Sequence, residues 1–517
     1  MEDVSAVVGP SGLIRKRELV RLIIQSLLSL GYSGSASCLE SESGVRCQSP
    51  EFDSLESQVM SGCWEECIRT LDSIDGLVGD LRISVLFLLL RQYLWETLSE
   101  GEDGFALSVL RQEVSKFGID RGRVRSLVYG FLVPRESGSS VDGCSLYELR
   151  RRLLKELEEL IPPPCVLPHR RLETLVERAV LSQVDRCVYH NTSDAVSLYE
   201  DHCCSRDQIP TETIQILTDH ENEVWFVQFS HRGELLASSS SDCTAIIWKV
   251  LEDGKVSMKH VFRGHKNPVS FAAWSPDDTK LLTCGNAEVV KLWDVESGMC
   301  LHTFGDQDFV VSACSWFPDS KRLVCGSSHS EKGISLWDCQ GTEIKAWRGM
   351  RMPKIIDLAV TPDGENLISV LSDKDIRILS LMTNFERVIS EEHPITSLSI
   401  SRDSKYFIVN LNSQEIHLWD VIGSLKKPMR YVGHKQHKYV IRSCFGGVDC
   451  RFIASGSESS EVYMWNRQSG EPIEVLSGHK MTVNSVSWNP LRPQMLASAS
   501  DDQTIRIWAP RSHSDER

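Results

Sequence analysis

No two of the 17 cysteines in this 517-residue chain stand in a C-x2-C pair, the spacing by which zinc ribbons and RING modules bring two thiolates to one metal. A Walker A loop, an HExxH helix and a G-x-S-x-G elbow are missing too, so phosphate cradling, zinc proteolysis and serine hydrolysis have no footing in the sequence. Positive charge is in deficit, with 56 Lys and Arg against 71 Asp and Glu. Broad phosphate contact needs a basic face to displace counterions, so no nucleic-acid partner is expected. The most apolar stretch, Val85 to Leu90, lasts six residues before Arg91, far short of the roughly 20 that span a bilayer, and no membrane partner is expected. The start, MEDVSAVVGPSG, is acidic and lacks the apolar run of a secretory leader. With scattered cysteines, this leads to the expectation of a reduced setting, cytoplasm and nucleus, in which the sequon at Asn191 stays idle.

What the chain does have is a repeat. AIIWKV at Trp248, VKLWDV at Trp293, ISLWDC at Trp337, IRILSL at Leu379, IHLWDV at Trp419, VYMWNR at Trp465 and IRIWAP at Trp508 follow one another at 45, 44, 42, 40, 46 and 43 residues. A second landmark stands upstream, as in HENEVWFVQFS from His220, GHKNPVSFAAWSPDD from Gly264, GHKQHKYV from Gly433 and GHKMTVNSVSWNP from Gly478. Period and motifs resemble the WD-repeat family over residues 209–510, which implies an all-β seven-bladed propeller.

That resemblance implies buried hydrogen-bonded tetrads at His220, Ser238, Asp242 and Trp248 in blade one and at His479, Ser498, Asp502 and Trp508 in blade seven. Blade four departs, with Gly349-Met350 at the GH position and Leu379 for Trp, so its packing is expected to rest on apolar contacts. Blade seven lacks an outer strand after Trp508. The alternating segment TETIQILTDH supplies one, and residues 211–217 are expected to close the ring. The repeat register assigns the histidines to architecture and leaves binding as the mechanism. Propellers bind around the channel mouth, and here that ring comprises Glu223, Trp225, Ser241, Ser270, Ser312, Thr396, Ile441, Asn484 and Asp501, with Trp225 the favoured anchor.

The first 200 residues are all-α in pattern. Leu19, Leu22, Ile23 and Leu27 share a helical face, Gly31-Tyr32 breaks the helix, and Leu39 lies in a second one. A two-helix unit this short cannot bury its own core. Residues 15–46 resemble the LisH dimerisation motif, so Leu19, Leu22, Ile23, Leu27, Tyr32 and Leu39 are expected at a dimer seam. Residues 49–133 resemble the CTLH and CRA-like helical region, with Trp64, Cys67, Ile68, Leu71 and Val85 to Trp95 as core. Residues 134–208 read as linker and connecting helices, in which the basic LRRRLLK is a solvated face and SDAVSLYEDHCC is a helix. Cys187, His190, His202, Cys203 and Cys204 offer zinc-type donors, but their spacing fits no common finger, and no metal or cofactor is expected. A polar tail, 511–517, follows the propeller.

LisH, CTLH and one propeller in this order resemble the WD-repeat subunits of CTLH (GID) ubiquitin ligases, the family of WD repeat-containing protein 26. The resemblance implies a non-catalytic scaffold that associates with itself, with other LisH/CTLH and RING subunits, and with protein substrates or regulators on the propeller. Two other classes are similar in part. TOPLESS-type corepressors share the helical modules but carry two propellers. Cullin-ligase adaptors use a W-D-x-R motif, of which Trp508-Ala509-Pro510-Arg511 keeps only the ends.

Overall fold

The computed structural model describes residues 7–9, 11–74, 77–99, 145–163, 165–285, 289–304, 311–327, 333–347 and 353–511. The chain forms two compact units, Met1–Ser182 and Gln183–Arg517. Gly349 and Met350, the segment GFALSVLRQEVSKFGI and the break PRESGSSVDG lie outside the described residues.

In the first unit, α1 (Lys16–Ser29) and α2 (Ser33–Ser43) form a hairpin around Gly31. α3 (Pro50–Ser61) begins where Ser49 Oγ accepts from the Phe52 amide and Pro50 supplies a ready-made first turn. α4 (Trp64–Thr70) and α5 (Asp80–Ser99) follow, then α6 (Leu146–Leu160), opened by a reciprocal Ser145–Glu148 capping box, and α7 (Arg171–Arg186). One core joins Phe52, Leu55 and Val59 of α3, Trp64 and Cys67 of α4, Val85, Leu86, Leu89 and Leu90 of α5, and Leu153, Leu154 and Leu157 of α6. Leu71 is buried beside it and Ile68 packs against it. Among the described residues, no helix is long and apolar enough to cross a membrane.

Among the described residues of 134–208, α6 is more than a connecting helix: it is part of the helical core, its apolar stripe hidden in a composition dominated by charge. LRRRLLK is not uniformly solvated. Arg150 donates Nε–H and Nη2–H to the buried Glu96 carboxylate at 3.0 and 2.8 Å, and Nη1–H to the Met60 carbonyl at 2.7 Å. Trp64 Nε1 and Gln92 Nε2 complete the shell of Glu96, each at 3.0 Å. Four helices thus meet at one charge-assisted node. Gly62, with φ +81°, closes α3 where a Cβ would run into the Arg150 guanidinium.

The second unit is a ring of seven four-stranded antiparallel sheets. Blades one to six each use four consecutive strands; the first is Val224–Phe229, Leu235–Ser240, Ala245–Val250 and Val256–Phe262. The seventh takes three from the end of the propeller sequence, Val483–Trp488, Leu496–Ser500 and Ile505–Ala509, and its fourth from the beginning, Glu212–Leu217. Thr213 lies opposite Trp508 and Leu217 opposite Ile505. This clasp covers an edge that would otherwise expose a row of unpaired backbone groups. In blade four, Leu379 packs on a cluster that includes Ile355, Leu358 and Leu367, so apolar contact holds the position that elsewhere carries an indole.

SDAVSLYEDHCC is not a helix. Residues 191–205 run without regular structure, consistent with a composition of Ser, Asp and Thr whose side chains compete for backbone partners.

Candidate functional site

Blades one, two and seven are pinned by polar groups that sequence spacing brings to one point. In blade one, His220 Nδ1 meets Asp242 Oδ2 at 2.9 Å and Nε2 meets Ser238 Oγ at 2.8 Å, while Trp248 Nε1 donates to the same hydroxyl at 2.9 Å. Blade seven repeats this at 3.0, 2.8 and 2.8 Å with His479, Asp502, Ser498 and Trp508. Burial alone would raise the Asp242 and Asp502 pKa values, but hydrogen bonds from His220 and Thr244, and from His479 and Thr504, outweigh it and hold both carboxyls well below the usual range. In blade two, Thr283 Oγ1 takes the Ser position, between His265 Nε2 at 2.7 Å and Trp293 Nε1 at 2.8 Å.

Blade five reaches the same end with different residues, and no GH landmark announces it. Glu391 Oε1 accepts from Trp419 Nε1 at 2.7 Å, and its Oε2 meets His417 Nδ1 at 2.9 Å, with Glu415 on the other ring nitrogen at 2.9 Å. Burial would lower the pKa of His417, yet the two carboxylates raise it. Blade six differs again: Trp465 Nε1 donates to the Val432 carbonyl at 3.0 Å, and the buried His434 ring meets the indole edge-on, its pKa driven down to about 4 by burial.

The candidate binding positions have a shared backbone feature that sequence reading did not see. The innermost strand pairs with its neighbour through a register shift between Val224 and Phe226, Val269 and Phe271, Val311 and Ala313, Ile355 and Asp357, Ile395 and Ser397, and Val483 and Ser485. Trp225, Ser270, Ser312, Ile356, Thr396 and Asn484 are therefore bulge residues, re-aimed out of the ladder. Ile356 was not among the expected positions.

Three of these side chains turn back on their own blades: Ser270 Oγ donates to the Cys284 carbonyl at 3.4 Å, Ser312 Oγ to Gly326 at 3.1 Å and Thr396 Oγ1 to Asn410 at 3.2 Å. Trp225 is half-buried and donates Nε1–H to Glu223 Oε2 at 3.0 Å. Ser241 and Asp501 are half-buried beside them. Two expectations fail. Ile441 is fully buried, because the first strand of blade six begins only at Ser443. Asn484 is buried as well, its amide spent on Val224 O at 3.1 Å and Asp501 Oδ1 at 2.6 Å. Burial, with Glu223 and Asp502 nearby, raises the pKa of Asp501 against that hydrogen bond.

Inside the ring, a cavity of about 360 Å³ is lined by residues including Phe226, Phe271 and Asp357 of inner strands and Arg442 just before the first strand of blade six. Arg511, at the end of the W-A-P-R sequence, lies 3.6 Å from Glu212 of the closing strand.

On the helical hairpin, α1 presents two stripes two residues apart, about 200° around the axis. Arg21, Gln25 and Ser29 face the segment 165–173: Arg21 donates to the Cys165 carbonyl at 2.8 Å, Gln25 to Leu167 at 3.0 Å and Ser29 to Glu173 at 2.9 Å. Leu19, Ile23 and Leu27 form the opposite stripe, half-buried or exposed, and Tyr32 beyond it is exposed. Leu22 and Leu39 are half-buried, while the fully enclosed residues of the hairpin are Ile24 and Ala36.

Comparison with known proteins agrees with this geometry. Residues 5–49 match the WDR26 Lis-homology domain, and residues 211–249, 256–294, 298–338 and 470–509 match the WD domain, G-beta repeat. The unmatched repeats are blades four to six, which depart from the Trp or tetrad pattern. The chain is 60% identical over 98% of its length to a WD repeat-containing protein WDS homolog of Arabidopsis thaliana, covering 97% of that protein. It is 44% identical over 97% of its length to a WD repeat-containing protein 26 homolog of the same plant, covering 85% of it. With GID complex subunit 7 of Schizosaccharomyces pombe it shares 34% identity over 95% of its length and 97% of that subunit. With the Lis-homology hairpin, the seven-bladed ring and these near full-length relatives in one chain, the protein belongs to the family of WD repeat-containing protein 26.

Proposed function

We propose that this protein is a non-catalytic scaffold subunit of a CTLH (GID) type ubiquitin ligase, associating through its helical half and receiving substrates or regulators on the propeller, in cytoplasm and nucleus. The observation that carries the reading is the division of roles on α1, where one stripe is docked by hydrogen bonds and the opposite stripe of Leu19, Ile23 and Leu27 has no comparable cover among the described residues. An apolar stripe of this kind on a short hairpin suits a second copy or a paralogous hairpin. The homology to a protein named GID complex subunit 7 supports the type of complex. In the propeller, the histidine and aspartate side chains of blades one and seven are committed to holding strands together, which supports a binding role for the ring.

Mild affinity purification of the intact chain from its own cells, with mass spectrometry and sizing of the eluate, tests this. Recovery of RING subunits and LisH/CTLH paralogues in a large particle is expected. Recovery of repressors and histone deacetylases without ligase subunits would overturn it in favour of a corepressor.

A further inference from the structure

The segment between α7 and the propeller brings three metal-type donors to one point, with a fourth beside them. Cys187 ends α7 and is buried, and His190 follows it, 6% exposed. The chain then runs out and returns, bringing His202 and Cys204 against them. The donor atoms of Cys187, His202 and Cys204 all lie within 4.8 Å of one another. His190 Nδ1 is 3.7 Å from Cys204 Sγ and 2.8 Å from His202 Nε2, and Cys204 Sγ is 3.2 Å from that same nitrogen. Around a tetrahedral zinc with bonds of about 2.0 to 2.3 Å, donor separations are about 3.3 to 3.8 Å. To complete a tetrahedron the two imidazoles, now within hydrogen-bond distance, part by about half an ångström, and His190, which is not among the three donors mutually within 4.8 Å, closes on Cys187 Sγ.

The cluster is built from its surroundings. Gln183, one turn before Cys187, holds the returning strand with both ends of its amide: Nε2 donates to Asp201 Oδ1 at 3.0 Å and Oε1 accepts from the His202 amide at 3.1 Å. The Cys204 amide donates to Cys187 Sγ at 3.2 Å. Asn191 ties the outgoing strand to the propeller through Gln208 O at 2.8 Å, Pro493 O at 2.6 Å and the Val448 amide at 3.1 Å. Cys203, between two of the donors, is exposed.

We propose that Cys187, His190, His202 and Cys204 form a structural zinc site that locks the segment 187–204. Two nitrogens and two sulfurs suit zinc, and four protein donors leave no open position for catalysis. Binding releases one proton from each of the two thiols to solvent. The two thiolates then cancel the charge of the dication, as a partly buried site requires.

The test is the zinc content of the full chain, purified without chelator and desalted, by plasma mass spectrometry. About one zinc per chain is expected, falling below about 0.1 in Cys204→Ser and in His202→Ala and unchanged in Cys203→Ser. Because the loss variants could misfold, the wild-type chain is also stripped and titrated with cobalt(II). Thiolate-to-cobalt charge transfer and intense tetrahedral bands that saturate at one equivalent are expected. A chain that carries no zinc and gives no such bands overturns the proposal, as does recovery of a Cys187–Cys204 disulfide, or zinc content unchanged in Cys204→Ser.

Discussion

Arg442 of blade six reaches Asp357 of blade four across the interior of the ring, Nη1 to Oδ2 at 2.9 Å. Its guanidinium lies over the ring of Phe271 from blade two, 4.7 Å from the centroid, with Phe226 of blade one at 5.6 Å. Asp357 is 3% exposed and also accepts the Leu358 and Leu398 amides at 2.9 and 3.0 Å. One ion pair therefore ties five of the seven blades, none of them adjacent in sequence to all the others.

Removing either partner has unequal cost. Asp357→Ala leaves a guanidinium that cannot shed its proton in a mostly enclosed place and is expected to cost about 3–5 kcal/mol. Arg442→Met keeps apolar contact with the two phenylalanines and leaves a carboxylate that still has two amide donors, so its cost is smaller. Thermal melting of the two variants checks the order; a reversed order overturns it.

The closing strand is expected to carry a large share of the propeller's stability. Deleting residues 211–217 exposes the edge of Ile505–Ala509 and uncovers Trp508, and should lower the melting temperature by more than 10 °C, on the scale of about 2–4 °C per kcal/mol for a domain of this size. An unchanged melting curve contradicts this.

Acid should weaken the ring in two stages. His434 has its pKa lowered from the ordinary value to about 4, so the unfolded state takes up protons first. This contribution lowers stability as pH drops from about 6.5 towards 4, by at most about 3 kcal/mol, while His417, its pKa raised by two carboxylates, acts in the opposite direction. The depressed carboxyls of Asp242 and Asp502 contribute stability that is full above the ordinary aspartate range and is lost as pH falls below it. His434→Phe should flatten the first stage and leave the second, as followed by chemical denaturation at successive pH values.

Self-association should depend on the uncovered stripe of α1. Ile23→Asp places a charge where a partner would exclude water, while in the isolated chain the side chain is 36% exposed and the hairpin should still form. Light scattering should give the single-chain mass with an unchanged circular dichroism spectrum. An oligomeric mass equal to wild type removes the stripe from the interface.

The ring was readable from sequence because its landmarks recur at a near-constant period, and in blades one, two and seven the Trp ends beside a hydroxyl on the neighbouring strand. Blade five shows where reading stops. Glu391 replaces the expected histidine partner, and nothing in EEHP signals that it will meet Trp419 and His417. Arg442 and Asp357 were equally hidden, since residues 85 positions apart meet only once the ring curvature is set. The bulges at Trp225 and its counterparts depend on strand register, which a list of residue types does not contain. In the helical half, Arg150 looked like one charge among many until α3 to α6 converged on Glu96. The donors around Cys204 were visible in the sequence but set aside because their spacing fits no common finger, whereas this segment loops out and returns.

The clasp of the seventh blade also sets a timetable. Glu212–Leu217 leaves the ribosome before any other strand of the propeller, yet its partner Ile505–Ala509 is among the last to emerge. Through nearly the whole of synthesis the opening strand waits without its ladder, while six blades form behind it in order. A nascent chain stalled before Trp508 therefore carries an unclosed ring with unpaired strand edges, which can pair with another copy as well as with its own chain.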